Sequence, residues 1–378
     1  MINFIKSDLF AAFLLLVMTI LALILKNSDL SLYYDSVLNA KASVKFLEYE
    51  LDKPLFLWVN DGLIAIFFFW VGLEVKKELT VGELDSFSKR VVPAAAALGG
   101  AVVPMLVYCL FNFHNPETLK GFAIPMGTDT AFAVAILIIL KNYIPYSLRV
   151  FALSSTIFDD MFAIIVIAIF YTNKLLFISL VLASFGIAAL FILNILHCTR
   201  KVFYFIVGCF IWVCVLESGV HTTLAGMICA FFIPIYKKDG TFFLEKIMKE
   251  LTPYVNYFIL PIFALFNAGV EFSLEKVHFN SVFFGVFFGL LVGKQIGVFS
   301  FCWVVNKFGA VLPSSKTQLY GMSILTGIGF TMSFFINTLV FEGNLEFFNS
   351  AKLAVLSASL CSAIIGYVVL RYFAHRYD

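Results

Sequence analysis

Charge is what this chain has least of. Of its 378 residues only 13% are Asp, Glu, Lys or Arg, whereas 61% are hydrophobic. Soluble domains rarely exceed about half apolar content, so the composition predicts a polytopic membrane protein whose solvent is the lipid bilayer. A formal net charge of +2 offers no electrostatic footprint for a nucleic-acid partner. The seven cysteines are scattered through apolar segments without CxxC or Cys/His metal spacing, and read as small core residues. HExxH, Walker A and G-x-S-x-G motifs are absent, so no enzymatic chemistry and no cofactor is expected. Neither Asp129 nor Asp159 follows the Gly-x-Gly expected of an intramembrane aspartyl protease. Ser154, Ser155 and Thr156 share their span with no histidine that would activate them. The Ala11–Leu25 run lacks a following A-x-A cleavage site, which predicts a retained first helix.

Apolar runs are what the chain has in abundance. They predict an all-α fold of about twelve spans, near 9–26, 58–76, 91–112, 121–140, 149–172, 175–196, 202–216, 218–236, 253–271, 281–305, 317–341 and 350–370. Between the first two lies Asn27–Leu57, whose alternating SLYYDSV and ASVKFLEYEL predict a small extramembrane hairpin. No long linker divides the chain, so residues 1–378 are read as one domain. With the N-terminus inside, 17 of the 26 lysines and arginines fall on one side and 8 on the other, with Lys294 inside a span. That asymmetry places both termini in the cytoplasm.

The organising stretch is Val150–Thr172, VFALSSTIFDDMFAIIVIAIFYT, with Asp159 and Asp160 near its middle. A carboxylate at mid-bilayer costs about 2.5–3.5 kcal/mol on the insertion scale. A pair satisfied by neighbouring helices for structural reasons is one explanation; an ion or proton site is the usual one. Adjacent helical residues point about 100° apart, so one aspartate can face a water-filled cavity while the other meets a partner. Two neighbouring carboxylates resist joint ionisation, and a carboxyl that exchanges its proton for a cation supplies the chemistry of coupling. Lys294, deep in FFGLLVGKQIGVFSF, is the obvious counter-charge, the alternative being a lysine that snorkels to the interface.

Two spans contain helix breakers. GFAIPMGTDTAFAVAILIIL carries Pro125, Gly127 and Asp129, and YGMSILTGIGFTMSFFINTLV carries Gly327 and Gly329. Each is the middle member of a triplet, residues 91–172 and 281–370, and the two triplets run in opposite senses across the membrane. Paired interrupted segments of this kind point to a transporter's midplane site. Asp129 between Thr128 and Thr130 either contributes to that site or caps a helix, and its charge would offset helix N-termini. Glu74 and Glu78, one turn apart at the cytoplasmic end of the second span, form either a cation-attracting funnel or a solvated face paired with Lys77. Asp61 lies on the exit path or marks the interface. Glu217 and His221 fall at an outer turn, where a lone histidine is more often structural than a sensor.

Nearly end to end, the chain resembles the bacterial NhaA family of Na+/H+ antiporters. The likeness rests on NDGLIAIFFFWVGLEVKKEL (60–79), AIPMGTDTAFAVAIL (123–137), FDDMFAIIVIAIFYT (158–172), SGVHTTLAG (218–226), LPIFALFNAGV (260–270), VGKQIG (292–297) and LTGIGFTMSFFI (325–336). Members of that family themselves carry such paired, interrupted helices in inverted repeats. The resemblance implies that Asp160 is the principal Na+ or Li+ ligand and that Asp159 pairs with Lys294 and exchanges protons. It implies that Thr128 and Asp129 lie where two unwound helices cross, with Asp129 tuning the electrostatics. It places Asp61 on the periplasmic side, Glu74 and Glu78 at the cytoplasmic entrance where pH acts, and His221 at a position linked to pH dependence. It further implies the bacterial inner membrane and a homodimer through the 27–57 hairpin. Three departures stand out: Gln295 where a proline usually follows the lysine, Phe162 where a small residue is usual after FDDM, and Met248, Lys249 and Thr252 where acidic and histidine residues precede the ninth span.

These features together predict an electrogenic secondary antiporter, in which Na+ and H+ exclude one another at shared carboxylates and alternating access carries whichever is bound. A channel would need a continuous polar path, and the remaining spans are too apolar for one. A symporter of an organic solute would call for arginine or aromatic recognition groups, where the core offers only Lys294.

Overall fold

The apolar run at the start of the chain forms the first long helix of a computed structural model that describes residues 8–46, 49–82, 84, 87–172, 175–272 and 279–373. Lys6, Lys174, Lys276 and Arg376, which entered the charge asymmetry, lie outside the described residues, as do both chain ends. Helix α1 (Asp8–Lys26) ends on Lys26, where a cation complements the terminal carbonyls. Lys26 also pairs with Asp35 at 2.7 Å on the short helix α2 (Ser31–Asn39). The alternating segment that follows pairs strand β1 (Lys41–Phe46) with β2 (Tyr49–Pro54), antiparallel, with Ala42 opposite Lys53. The predicted hairpin is therefore present.

Helix α3 (Leu55–Thr80) contains a π-helical turn at Val59–Leu63, after its first four residues, and α4 (Phe87–Asn112) runs on through Pro93 and Pro104. The fourth span is broken as its Pro and Gly predict. A short α5 (Pro116–Leu119), capped by Asn115, tightens into 3-10 turns at Lys120–Met126; the backbone is extended at Gly127 and Asp129, and α6 (Thr130–Ile139) then begins. Helix α7 (Tyr146–Phe170) carries the two aspartates without interruption. Helices α8 (Phe177–Ile195) and α9 (Lys201–Ser218) follow, the latter closed by Gly219 at φ 81°, a left-handed conformation that favours glycine. Next come α10 (Thr223–Phe231), α11 (Phe243–Tyr254), a π-turn and α12 (Leu260–Asn267). Helix α13 (Ser281–Lys307) contains a π-turn at Gly289–Gly293, directly before Lys294. The second broken span is α14 (Lys316–Leu325) and α15 (Phe330–Phe341), bent by 44°, and α16 (Leu345–Tyr372) closes the order.

Among the described residues, nine helices are long and apolar enough to cross a membrane, and the bent α14–α15 pair makes a tenth. The eighth and ninth expected spans are built from shorter helical pieces, which fall below that length. Helix α10 has 9 residues and rises only about 14 Å, under half the hydrocarbon thickness. The ninth is diluted by Thr252, Asn256 and Asn267 and divided by its π-turn.

The chain divides into two compact units. The first comprises residues 1–13, 78–166 and 270–378, the second residues 14–77 and 167–269. Within the first, α4 lies along α13 with glycine against glycine: a Cβ on Gly99 would collide with the Gly297 carbonyl oxygen, and the reverse holds equally. One turn along, Gly100 faces Lys294, so this contact seats the helix that carries the buried lysine. Within the second unit, α8 to α11 enclose an apolar core that includes Leu190, Ile211, Ala230 and Leu244. Lys76 ties α3 to the end of α10 by donating to the Phe231 and Ile233 carbonyls at 2.7 and 2.6 Å.

Gly99→Val should force α4 and α13 apart. Overpacking of this kind costs about 1–3 kcal/mol, read as a lower Tm and less folded protein in detergent; an unchanged Tm would contradict the close approach.

Candidate ion-binding site

Both breaks in the first unit fall at the same place. Asp129 donates its backbone N–H to the Ile328 carbonyl at 2.6 Å, and Ser333 Oγ donates to the Ile124 carbonyl at 2.8 Å. The extended piece between α5 and α6 thus crosses the one between α14 and α15. Backbone groups freed at such breaks need partners inside the protein, and side chains supply them. Asp129 caps its own helix, Oδ1 accepting from the Phe132 N–H at 3.2 Å. Its Oδ2 accepts from the Thr331 N–H at 3.1 Å and the Thr331 hydroxyl at 2.6 Å, at the start of α15. One carboxylate therefore faces two positive helix ends. The remaining N–H groups of Gly329 and Phe330 donate to Ser359 Oγ of α16 at 3.2 and 3.4 Å. Gly329, at the N-cap position of α15, has no side chain to do this itself.

Beside the crossing, three of the expected residues meet. Lys294 Nζ donates to Thr128 Oγ1 at 2.8 Å and lies 3.1 Å from Asp159 Oδ2. The lysine side chain is fully buried and that of Asp159 is 3% exposed. Thr128 Oγ1 is 2.6 Å from Asp159 Oδ2 and 3.1 Å from the Thr326 carbonyl oxygen. Its single hydroxyl proton serves one of these acceptors at a time. Asp159 Oδ1 is buried and has no hydrogen-bond partner among the described residues. Asp160, next on the same helix, is also buried, and both aspartates attract the Lys294 ammonium electrostatically. Lys294 does not snorkel. Chemically, the cluster offers one saturated carboxylate oxygen, one open one, a second carboxylate, a hydroxyl and a cation.

Gln295 stands where the family usually has proline. Its side-chain amide donates to the Leu291 carbonyl, and its oxygen accepts from the Tyr320 hydroxyl of α14 at 2.7 Å. The polar side chain is thus satisfied, and it links the Lys294 helix to the broken one.

The other expected residues lie elsewhere. In the second unit, Asp61 sits in the π-turn of α3 and pairs with Lys53 of β2 at 2.9 Å. Its carbonyl accepts from Trp212 Nε1 at 3.0 Å and from Thr222 Oγ1 at 3.1 Å, and His221 lies within electrostatic reach of both Asp61 and Lys53. Glu74 and Glu78 are half-buried on the last turns of α3. On α11, Glu245 pairs with Lys249 at 2.9 Å. The hydrogen bond from Lys249, joined by the Lys249 and Lys77 charges, holds the Glu245 carboxyl below its usual range, so it stays ionised at neutral pH. Thr326, Thr331 and Ser359 were not singled out from the sequence. The only signal for Ser359 is its place in SASLCSA, a run of small residues on an apolar helix.

A polytopic helical protein in which two broken helices cross beside buried charges belongs to the class of ion-coupled secondary transporters. The chain matches the family described as Na+/H+ antiporter 1 over residues 2–370. The Na+/H+ antiporter NhaA 1 of Campylobacter jejuni is 50% identical over 376 residues, covering 98% of this chain and 96% of that protein. NhaA 2 of Campylobacter fetus is 47% identical over 387 residues, covering 100% and 98%. The chain belongs to the NhaA family of Na+/H+ antiporters; it is a multi-pass membrane transporter and not an enzyme.

Removing one member of a buried pair leaves the other charge uncompensated, at about 3–5 kcal/mol. Lys294→Met and Asp159→Asn should each lower the Tm, and the double variant should recover most of the loss; additive losses would show that the pair is not coupled. Ser359→Ala should cost about 0.5–2 kcal/mol, as loss of a helix cap does, while Ser359→Thr keeps the hydroxyl and the stability, both read by thermal unfolding.

Proposed function

We propose that Asp160 and Asp159 are the carboxylates at which the transported cation, Na+ or Li+, competes with H+. The observation that carries this reading is the buried Asp159 Oδ1, which has no partner among the described residues, beside a second buried carboxylate. A buried polar atom without a partner is costly, and a small hard cation that takes oxygen ligands, or a proton, relieves it. Asp160 binds the cation as principal ligand; Asp159 alternates between Lys294 and the site. Thr128 supports the exchange, since its hydroxyl proton turns to Asp159 when that carboxylate is charged and to the Thr326 carbonyl when it is occupied. Asp129 keeps the crossing electrostatically balanced by holding the ends of α6 and α15.

The cycle is electrogenic and proceeds by alternating access. Cation and protons exclude one another, and return of more than one proton per cation lets membrane potential drive export. Residues 1–378 act as a single transport domain, with 91–172 and 281–370 as inverted repeats. The chain resides in the bacterial inner membrane with both termini cytoplasmic, and the 27–57 hairpin is a homodimer contact. Glu74 and Glu78 attract cations at the cytoplasmic entrance and contribute to pH response. Asp61 and His221, grouped with Lys53, act on the periplasmic side.

In everted vesicles energised by respiration, Na+ or Li+ should collapse the pH gradient with the wild-type protein and fail to do so with Asp160→Asn, across neutral and alkaline pH. K+ serves as the control cation. Collapse that survives Asp160→Asn unchanged, or proton movement indifferent to Na+, would reject the assignment.

A further inference from the structure

The first unit carries a groove of about 170 Å³ between α6 and α7, lined by Val134, Leu137, Ile138, Tyr146, Arg149, Val150 and Leu153. All but Arg149 and Tyr146 are aliphatic. The Arg149 guanidinium lies 5.5 Å from the Tyr146 ring centroid, and its Nε is buried with no hydrogen-bond partner among the described residues. No carboxylate among those residues pairs with it. An arginine head in an apolar groove retains the need for an anion, because the guanidinium is always charged and its fork matches phosphate geometry.

The surroundings carry the same sign. Arg371 of α16 stacks on Tyr143 at 3.8 Å, and Gln318, in the first turn of α14 with Lys316, reaches the Tyr143 carbonyl at 3.4 Å. Lys141 is exposed in the same loop. Ser147, two residues from Arg149, donates to the Pro313 carbonyl at 2.6 Å, which brings the loop before α14 to this rim. The segments 130–158, 279–341 and 347–373 contain no acidic residue. The rim is thus basic, shelved by tyrosines, and continuous with an apolar groove.

We propose that this groove binds an anionic phospholipid, its phosphate on Arg149 and an acyl chain along Leu137, Ile138, Val150 and Leu153. Basic pockets between membrane helices on the cytoplasmic side suit such headgroups, and tyrosine is at home at headgroup depth. The groove supplies what a free phosphate ion does not need, an aliphatic wall. The guanidinium supplies what a zwitterionic lipid, already carrying its own cation, does not require. Neither residue set belongs to the ion site, so the lipid acts on the α6–α7 hairpin and not as a ligand of the transported cation.

The test is thermal unfolding of the full-length protein in detergent with added phosphatidylglycerol, phosphatidylcholine or inorganic phosphate. Phosphatidylglycerol should raise the Tm of the wild type more than phosphatidylcholine does. Arg149→Gln should lose that difference while keeping the phosphatidylcholine increment. Leu153→Trp, which fills the groove and leaves the arginine in place, should lose it as well, so a poorly folding Arg149 variant leaves the proposal open to refutation. Equal stabilisation by both lipids, an Arg149→Gln response like that of the wild type, or an equal shift with inorganic phosphate alone would each overturn it.

Discussion

A lysine and an aspartate buried against one another, at 3.1 Å and with almost no solvent exposure, are the constraint around which the first unit is arranged. Neither charge is tolerable alone at that depth. Lys294 therefore needs Asp159 beside it, and Asp159 needs α7 to run unbroken through the protein interior. The close α4–α13 crossing brings Lys294 inward, and it requires glycine at positions 99 and 297 because backbone meets backbone there. The π-turn before Lys294 is the local distortion that accompanies this placement, and such turns often mark functional positions. Asp61 occupies another in the second unit.

The broken helices solve a second electrostatic problem. Interrupting two spans exposes backbone donors and acceptors where no bulk water reaches them. Asp129 and Ser359 satisfy the donors at the start of α15, and Thr128 reaches the Thr326 carbonyl at the end of α14. The crossing thus joins directional bonds to close apolar packing: a Cβ on Gly127 would collide with Met332, and one on Gly329 with Leu290. Within it, one hydroxyl proton has two acceptors, and one carboxylate oxygen has no partner among the described residues.

The replacement of the family's usual proline by Gln295 shows how local chemistry compensates. Proline would remove a backbone donor and fix φ. Glutamine keeps the donor, and its side chain bonds Leu291 and Tyr320. The lysine helix is thereby tied to α14 through a polar contact. On α11, the Glu245–Lys249 pair is an exposed helical i,i+4 contact, which belongs to a solvated face and contributes little to stability.

Much of this was legible in one dimension because it depends on composition and local backbone chemistry. Apolar run length identified the membrane helices, Pro125, Gly127, Gly327 and Gly329 located both breaks, and alternation in 27–57 announced the hairpin. The buried charges Asp159, Asp160 and Lys294 were conspicuous because hydrocarbon makes every charge costly, and the long motifs 123–137, 158–172 and 325–336 carried the family. The shortness of α10 and the π-turn before α12 were not legible, because hydropathy does not register where a helix ends or changes its winding. Only the tertiary structure decided which oxygen of Asp159 is bonded and which is open, that Asp129 caps α15 as well as α6, and that Ser359 stands in for a missing cap on Gly329. Those facts depend on contacts between residues up to 202 positions apart, and no local propensity encodes the meeting of two chain segments so distant from each other.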